Sequence, residues 1–195
     1  MDVSIIIVTY NTKQLTCDCI ESVFANTQGL DFEVIVIDNA STDGSKQLLA
    51  ELDFDNYYYL YNQENVGFSK ANNQGATHAK GDFLFFMNSD MVLLDDVAST
   101  LRVQMKSRKD VGILGPQLLN PDQTLQVSCR NFPSLLFGVT KFFPFLGGLL
   151  SKQSLDYYQQ ERDYTKTQSV DTVSAGALFI RKKLFESIGG FDEFS

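Results

Sequence analysis

A chain of 195 residues with 44% hydrophobic side chains has room for one well-filled core and does not require two domains. Its formal charge of -8 excludes a general nucleic-acid binder, which needs clustered Lys and Arg; a polyanionic ligand would need local help from a metal or from backbone amides. One histidine, His78, and three cysteines, Cys17, Cys19 and Cys129, are too little material for a zinc site or a Ser-His-Asp triad, and the cysteines read as reduced thiols.

The start, Met1-Asp2-Val3-Ser4, carries no positively charged leader and runs straight into a β-branched strand, Val3 to Val8. Thr9, Tyr10, Asn11 and Thr12 follow as a capping loop, and Leu15, Cys19, Ile20, Val23 and Phe24 recur at helical spacing. Phe32 to Ile37 repeats the pattern, leading through Asp38-Asn39-Ala40-Ser41-Thr42-Asp43-Gly44 to a helix with Leu48, Leu49 and Leu52. Two strand-loop-helix units with short connections imply parallel strands covered by helices.

Tyr57 to Tyr61 is a third strand, followed by a turn at Asn65-Val66-Gly67 and a helix with Phe68, Ala71 and Ala76 on its apolar face. Phe83 to Met87 is a fourth, too short before Asn88-Ser89-Asp90 to be a helix and apolar enough to be buried on both faces. A helix near Asp95 to Arg108 and a strand near Val111 to Leu114 come next. Beyond Gly115-Pro116 the alternation is lost as far as Gln168, and a strand over Val170 to Ile180 with a helix through Lys183 to Ile188 restores it. The longest apolar patch, Leu135 to Leu150, is interrupted by Lys141, Pro144 and two glycines and falls short of the roughly 18 to 20 apolar residues of a spanning helix. Residues 132–150 are rather an apolar flap that could touch a membrane surface, or an extra helix packed on the core. The expected location is cytoplasmic, or peripheral at the inner face of a membrane.

Ligands of open α/β sheets bind above the carboxyl ends of the strands, and there this chain puts Thr9, Tyr10 and Asn11, then Asp38 and Asn39, then Asn88 and Asp90. An aromatic face beside a carboxylate can stack a pyrimidine and accept its imide N–H, and a strand-end Asp90 can hold magnesium or manganese against a diphosphate. Taken singly, Tyr10 could equally be a packing residue and Asp90 the cap of the following helix. No glycine stands between Val8 and Gln14 and no GxxxxGK occurs, which removes dinucleotide and P-loop sites.

The run Ser4-Ile5-Ile6-Ile7-Val8-Thr9-Tyr10-Asn11, the loop Asp38 to Ser45, the turn Asn65-Val66-Gly67-Phe68 with Ala71-Asn72-Asn73-Gln74-Gly75, the Asn88-Ser89-Asp90 tripeptide and Gly189-Gly190-Phe191-Asp192-Glu193 together resemble the inverting family two glycosyltransferases of GT-A fold, most nearly their bacterial rhamnosyltransferase-like branch. The resemblance implies a single α/β GT-A domain over 1–195, with a nucleotide-binding half at 1–115 and an acceptor-side half at 116–195. It implies transfer of a sugar from a UDP- or dTDP-linked donor to a glycan or lipid-linked acceptor in cell-surface polysaccharide synthesis, assisted by a divalent cation. Thr9, Tyr10, Asn11, Asp38, Asn65, Gly67, Asn72 and Asn88 would serve the nucleotide, Ser174, Ala175 and Gly176 the donor sugar, and Asp90 the metal. Asn88 stands where the family's DxD motif has its first Asp, leaving Asp90 as the one carboxylate there. The family's base, an Asp in a Glu-Asp pair after the FDE motif, has no counterpart before Ser195. The expectation is a fragment that binds donor but transfers poorly, or a base role taken by Asp192 or Glu193.

Overall fold

The structure is a computed structural model that describes residues 1–132, 163, 164 and 166–193. The chain divides into two compact units, one formed by Met1–Leu114 with Ala175–Ser195 and the other by Gly115–Ser174. The first unit holds a six-stranded sheet. Its strands are β1 (Val3–Thr9), β2 (Phe32–Asp38), β3 (Tyr57–Tyr61), β4 (Phe83–Asn88), β5 (Ile113–Leu114) and β10 (Ala177–Arg181), in the order β3-β2-β1-β4-β10-β5. The first four are mutually parallel, while β10 runs antiparallel to β4 and to β5. The sheet is therefore mostly parallel, as expected of a GT-A fold.

Helices α1 (Lys13–Asn26), α2 (Ser45–Ala50), α3 (Phe68–His78), α4 (Val97–Ser107) and α5 (Lys182–Ser187) complete this unit. Alternation along the strands sends Ile6, Ile35, Ile37, Leu84, Phe86 and Ile180 to one face, where α3 supplies Ala71 and Ala76 and α5 supplies Phe185. Strands buried on both faces have no polar side to show, which is why Ile5, Ile7, Phe85 and Met87 are buried as well.

Three sequence expectations shift. The strand read over Val170 to Ile180 is two: β9 (Thr172–Val173), in the second unit, and β10. Ser174, Ala175 and Gly176 interrupt it, because small residues in a turn have no side chain with which to extend a buried ladder. The strand near Val111 shrinks to Ile113–Leu114. Leu15, read as part of the apolar face of α1, is half exposed at 49%, and the inward position one residue on belongs to the fully buried Thr16.

Polar groups at the amino ends of the strands act as fasteners. The Ser4 hydroxyl donates to Glu33 Oε1 at 2.6 Å, as does the Lys80 amide, while the Gly81 amide donates to Ser4 Oγ at 2.8 Å. Glycine is required at 81 by space: a Cβ there would lie 2.5 Å from the backbone nitrogen of Ser4, which cannot move aside.

The second unit contains two short antiparallel pairs, β6 (Leu118–Leu119) with β7 (Leu125–Gln126) and β8 (Cys129–Arg130) with β9. The β6–β7 turn is set by Asp122, whose carboxylate accepts from the amide and hydroxyl of Thr124. Most of the proposed flap, residues 133–150, lies outside the described residues; Phe132 at its start is exposed and its amide donates to Asp171 Oδ2 at 2.9 Å. Among the described residues no helix is long and apolar enough to cross a membrane.

Candidate functional site

The sheet register fixes which loops meet. Thr9 is the partner of Asp38, Asp38 of Tyr61, and Val8 of Asn88, so β1, β2, β3 and β4 all end at one edge. The loops leaving that edge are tied to each other by their own polar groups.

Asn11 has φ of 55° and Ala40 has φ of 69°, a left-handed conformation that is strained for both residues. Contacts between the two loops hold it in place. The Asn11 amide donates to Ser41 Oγ at 2.9 Å, and Asn11 Oδ1 accepts from the Thr42 amide at 2.8 Å. Asp38 is fully buried; its Oδ1 accepts from the Ser41 amide at 2.8 Å and its Oδ2 from the Tyr59 hydroxyl at 2.7 Å. Burial and the hydrogen bond to that carboxylate push the Tyr59 phenol far above its ordinary range, so it stays a neutral donor.

Asp38 is thus seated beneath the loop rather than open to solvent. Thr9 is similar: only 1% exposed, its hydroxyl lies 2.7 Å from that of Thr16 and 3.0 Å from that of Thr12. Asn72, also buried, donates to the Phe68 carbonyl within its own helix. In this structure the three shape the edge from below. Tyr10, 50% exposed, and Asn11 form its outer surface.

Asn65 Oδ1 accepts from Asn39 Nδ2 at 2.7 Å and from the Gly67 amide at 3.0 Å, which locks the turn into α3. Gly67 has φ of 87°, a region open to glycine at no steric cost. Asn39 was an unassigned neighbour of Asp38 in the sequence, yet its side chain binds Asn65 and the Val66 amide and so joins the second loop to the third.

The Asn88 amide donates to the Gly176 carbonyl at 2.8 Å, bringing the small-residue turn against the strand-end tripeptide. Ala175 is exposed and Gly176 buried, while the Ser174 amide is engaged by the Ser128 carbonyl in the second unit. Asp90 is not a helix cap. Asp96 caps α4, accepting from the Ser99 amide at 3.2 Å, and among the described residues the exposed Asp90 carboxylate makes no hydrogen bond or ion pair.

An uncommitted carboxylate beside the uncommitted side-chain amide of Asn88 and the hydroxyl of Ser89 is an all-oxygen set that fits a hard cation. Among the described residues no group of three His, Cys, Asp or Glu could cage one, so most ligands would come from substrate phosphates and water. Cys19 lies below, its Sγ 3.7 Å from the Asn88 carbonyl oxygen, and burial, with a contribution from the Asp90 charge, pushes its thiol up to about 12. Iodoacetamide at pH 8 is therefore expected to leave Cys19 unlabelled in the native chain, read by mass spectrometry; rapid labelling would contradict the placement.

Asp192 and Glu193 follow a turn closed by Asn73. Its Nδ2 donates to the Phe191 carbonyl and to Glu193 Oε1, both at 2.9 Å, and its Oδ1 accepts from the Phe191 amide at 2.9 Å. Both carboxylates are exposed. Sequence reading named Asn73, Thr12 and Ser41 in a capping loop or a motif but gave them no site role; for Thr12 the Thr9, Thr12, Thr16 spacing, which lines hydroxyls along one side of a helix entrance, was the available signal.

Comparison with known proteins identifies the family and the fold. The family model described as glycosyl transferase family 2 matches residues 4–189. The O-antigen biosynthesis protein RfbC of Myxococcus xanthus is 28% identical over 98% of the chain, which spans 14% of that protein. The N-acetylglucosaminyl-diphospho-decaprenol L-rhamnosyltransferase of Mycobacterium tuberculosis is 27% identical over 82% of the chain, which spans 55% of it. Among solved structures, the mannosyltransferase PcManGT of Pyrobaculum calidifontis, in complex with GDP-Man and Mn2+, superposes with a TM-score of 0.65 at 22% identity, covering 98% of this chain and 48% of that one. S. aureus TarS 1-349 in complex with UDP gives 0.62 at 18% identity over 99% of this chain and 51% of that one. With the family model spanning nearly the whole chain and a mostly parallel GT-A sheet beneath it, this chain belongs to glycosyltransferase family 2.

Proposed function

We propose that the chain is the donor-binding and catalytic domain of an inverting glycosyltransferase that takes a UDP- or dTDP-linked sugar and passes it to a glycan or lipid-linked acceptor in cell-surface polysaccharide synthesis. The observation that carries this reading is the uncommitted Asp90 carboxylate at the same strand edge as the exposed Tyr10. The relatives' names, O-antigen biosynthesis and rhamnosyl transfer to a polyprenyl-linked sugar, support the acceptor class.

In this reading the pyrimidine stacks on Tyr10, with Asn11, Asn65 and Gly67 around the nucleoside and Ala175 and Gly176 beside the donor sugar. Asn88 and Asp90 hold a divalent cation, manganese or magnesium. When bound, it would offset charge building on the departing diphosphate. The acceptor oxygen attacks the anomeric carbon on the side opposite the diphosphate, the bond to the phosphate oxygen breaks, and the acceptor proton passes to a carboxylate. Asp192 and Glu193 are the candidates for that base within this chain.

The test is nucleotide release from UDP-, dTDP- and GDP-sugars against a panel of glycan acceptors, alongside donor binding. Asp192→Asn is expected to lower turnover by about 10² to 10⁴ while leaving donor affinity intact. Donor binding without turnover in the parent chain would reduce it to a nucleotide-sugar-binding module, and absence of donor binding would overturn the reading.

A further inference from the structure

Four hydroxyls run beneath the Asn88–Asp90 tripeptide, and their spacing determines which way each proton points. Thr16 Oγ1 donates to the Thr12 carbonyl oxygen at 2.8 Å; Thr9 and Thr16 hydroxyls are 2.7 Å apart, Thr9 and Thr12 3.0 Å, and Thr12 and Ser89 3.0 Å. The Thr12 carbonyl accepts the Thr16 amide at 2.9 Å and has a second lone pair for the Thr16 hydroxyl; since a carbonyl can only accept, filling that contact uses the Thr16 proton. The contact between Thr9 and Thr16 must then carry the proton of Thr9, the contact between Thr9 and Thr12 that of Thr12, and the contact between Thr12 and Ser89 that of Ser89. Four contacts of 3.0 Å or less are satisfied by four protons in this one direction only. Reversing the last link leaves one of the four contacts without a proton, whichever way the remaining protons are placed. The longer approach of Thr12 to Thr16, 3.2 Å, is left without a proton of its own.

The chain of hydroxyls therefore ends at Ser89 with an oxygen that has lone pairs to offer and no proton. Ser89 is 8% exposed and stands between Asn88 and Asp90. A hydroxyl proton there would repel a cation and would be free to bind the Asp90 carboxylate in its place. With the proton drawn inward, the tripeptide can offer only oxygens.

We propose that Thr12 is a positioning residue for the cation site: by accepting the Ser89 proton it fixes Ser89 Oγ as a pure acceptor, so that Asn88, Ser89 and Asp90 together receive a divalent cation and its bound waters. This rests on the reading that Asp90 holds the cation.

The test is the affinity for Mn2+ in the presence of UDP, followed by the loss of the free-ion electron paramagnetic resonance signal, with UDP binding in the absence of metal and thermal unfolding measured in parallel. Thr12→Val, which keeps the shape and removes the hydroxyl, is expected to weaken Mn2+ by about 10- to 100-fold, the usual effect of removing a group that orients a metal ligand. Thr12→Ser is expected to bind Mn2+ like the parent. Ser89→Ala, a smaller change at the surface end of the chain, is expected to weaken Mn2+ as Thr12→Val does and decides the matter if Thr12→Val does not fold. Unchanged Mn2+ affinity in Thr12→Val and Ser89→Ala, with binding lost in Asp90→Ala, would overturn the proposal and leave the cation at Asp90. Equal weakening in Thr12→Val and Thr12→Ser would also overturn it, because Thr12→Ser keeps the hydroxyl, and would assign the effect to packing at this position. Retention of Mn2+ by Asp90→Ala would instead remove the reading on which the proposal stands.

Discussion

Asp90→Ala is expected to abolish the manganese-dependent part of the thermal stabilisation that UDP or dTDP gives this chain, while leaving the smaller metal-independent part. A ligand present at a hundred times its dissociation constant adds about 2.7 kcal/mol to the stability of the folded state, which calorimetry resolves easily. The effect should concentrate in one residue because Asp90 is the carboxylate of its tripeptide and, among the described residues, is held by no other group. The unliganded variant should unfold close to the parent, since an exposed side chain without partners supports little of the fold. A parent-like response to nucleotide and manganese together would show that the cation binds elsewhere.

Phe86→Ala is expected to have the largest effect on stability, about 3–5 kcal/mol, read as a lower denaturation midpoint in urea. Phe86 is 1% exposed, and its ring meets those of Phe185 at 5.0 Å and Phe191 at 4.9 Å. The residue after Phe191 is Asp192, one of the two proposed base candidates, so the cavity is expected to be felt in function too. Phe191 loses one of its ring neighbours, and the turn that Asn73 closes is left with less apolar support. A loss of stability well under this range would mean that the core closes over the missing ring.

The apolar strands were legible because each is a short β-branched or aromatic run stopped by a polar loop, and β3 falls on Tyr57–Tyr61 as read. Helix α4 begins two residues later than expected because the cap is Asp96, which its spacing to Ser99 allowed but did not require. The antiparallel course of β10 was not readable: a short apolar strand has the same composition in either direction, and its pairing with β4 depends on contacts more than eighty residues apart in sequence. The site was legible at the level of loops. Residue types marked Asn11, Asp38, Asn65 and Asp90 as polar groups at strand ends, but only the hydrogen bonds separate those that support the edge from those that form it. Asp38 and Thr9 turn inward because Tyr59 and Thr16, neither adjacent in sequence, offer them partners.

The proposed function requires one strand edge to hold the nucleotide against Tyr10 and its cation against Asp90. Anomalous diffraction at the manganese edge from crystals grown with UDP and Mn2+ tests it most directly. A single strong peak is expected within coordination distance of the Asp90 carboxylate and of the diphosphate, with the uracil ring over Tyr10; a peak at another set of carboxylates, or a nucleotide bound away from the ends of β1 and β4, would refute this placement.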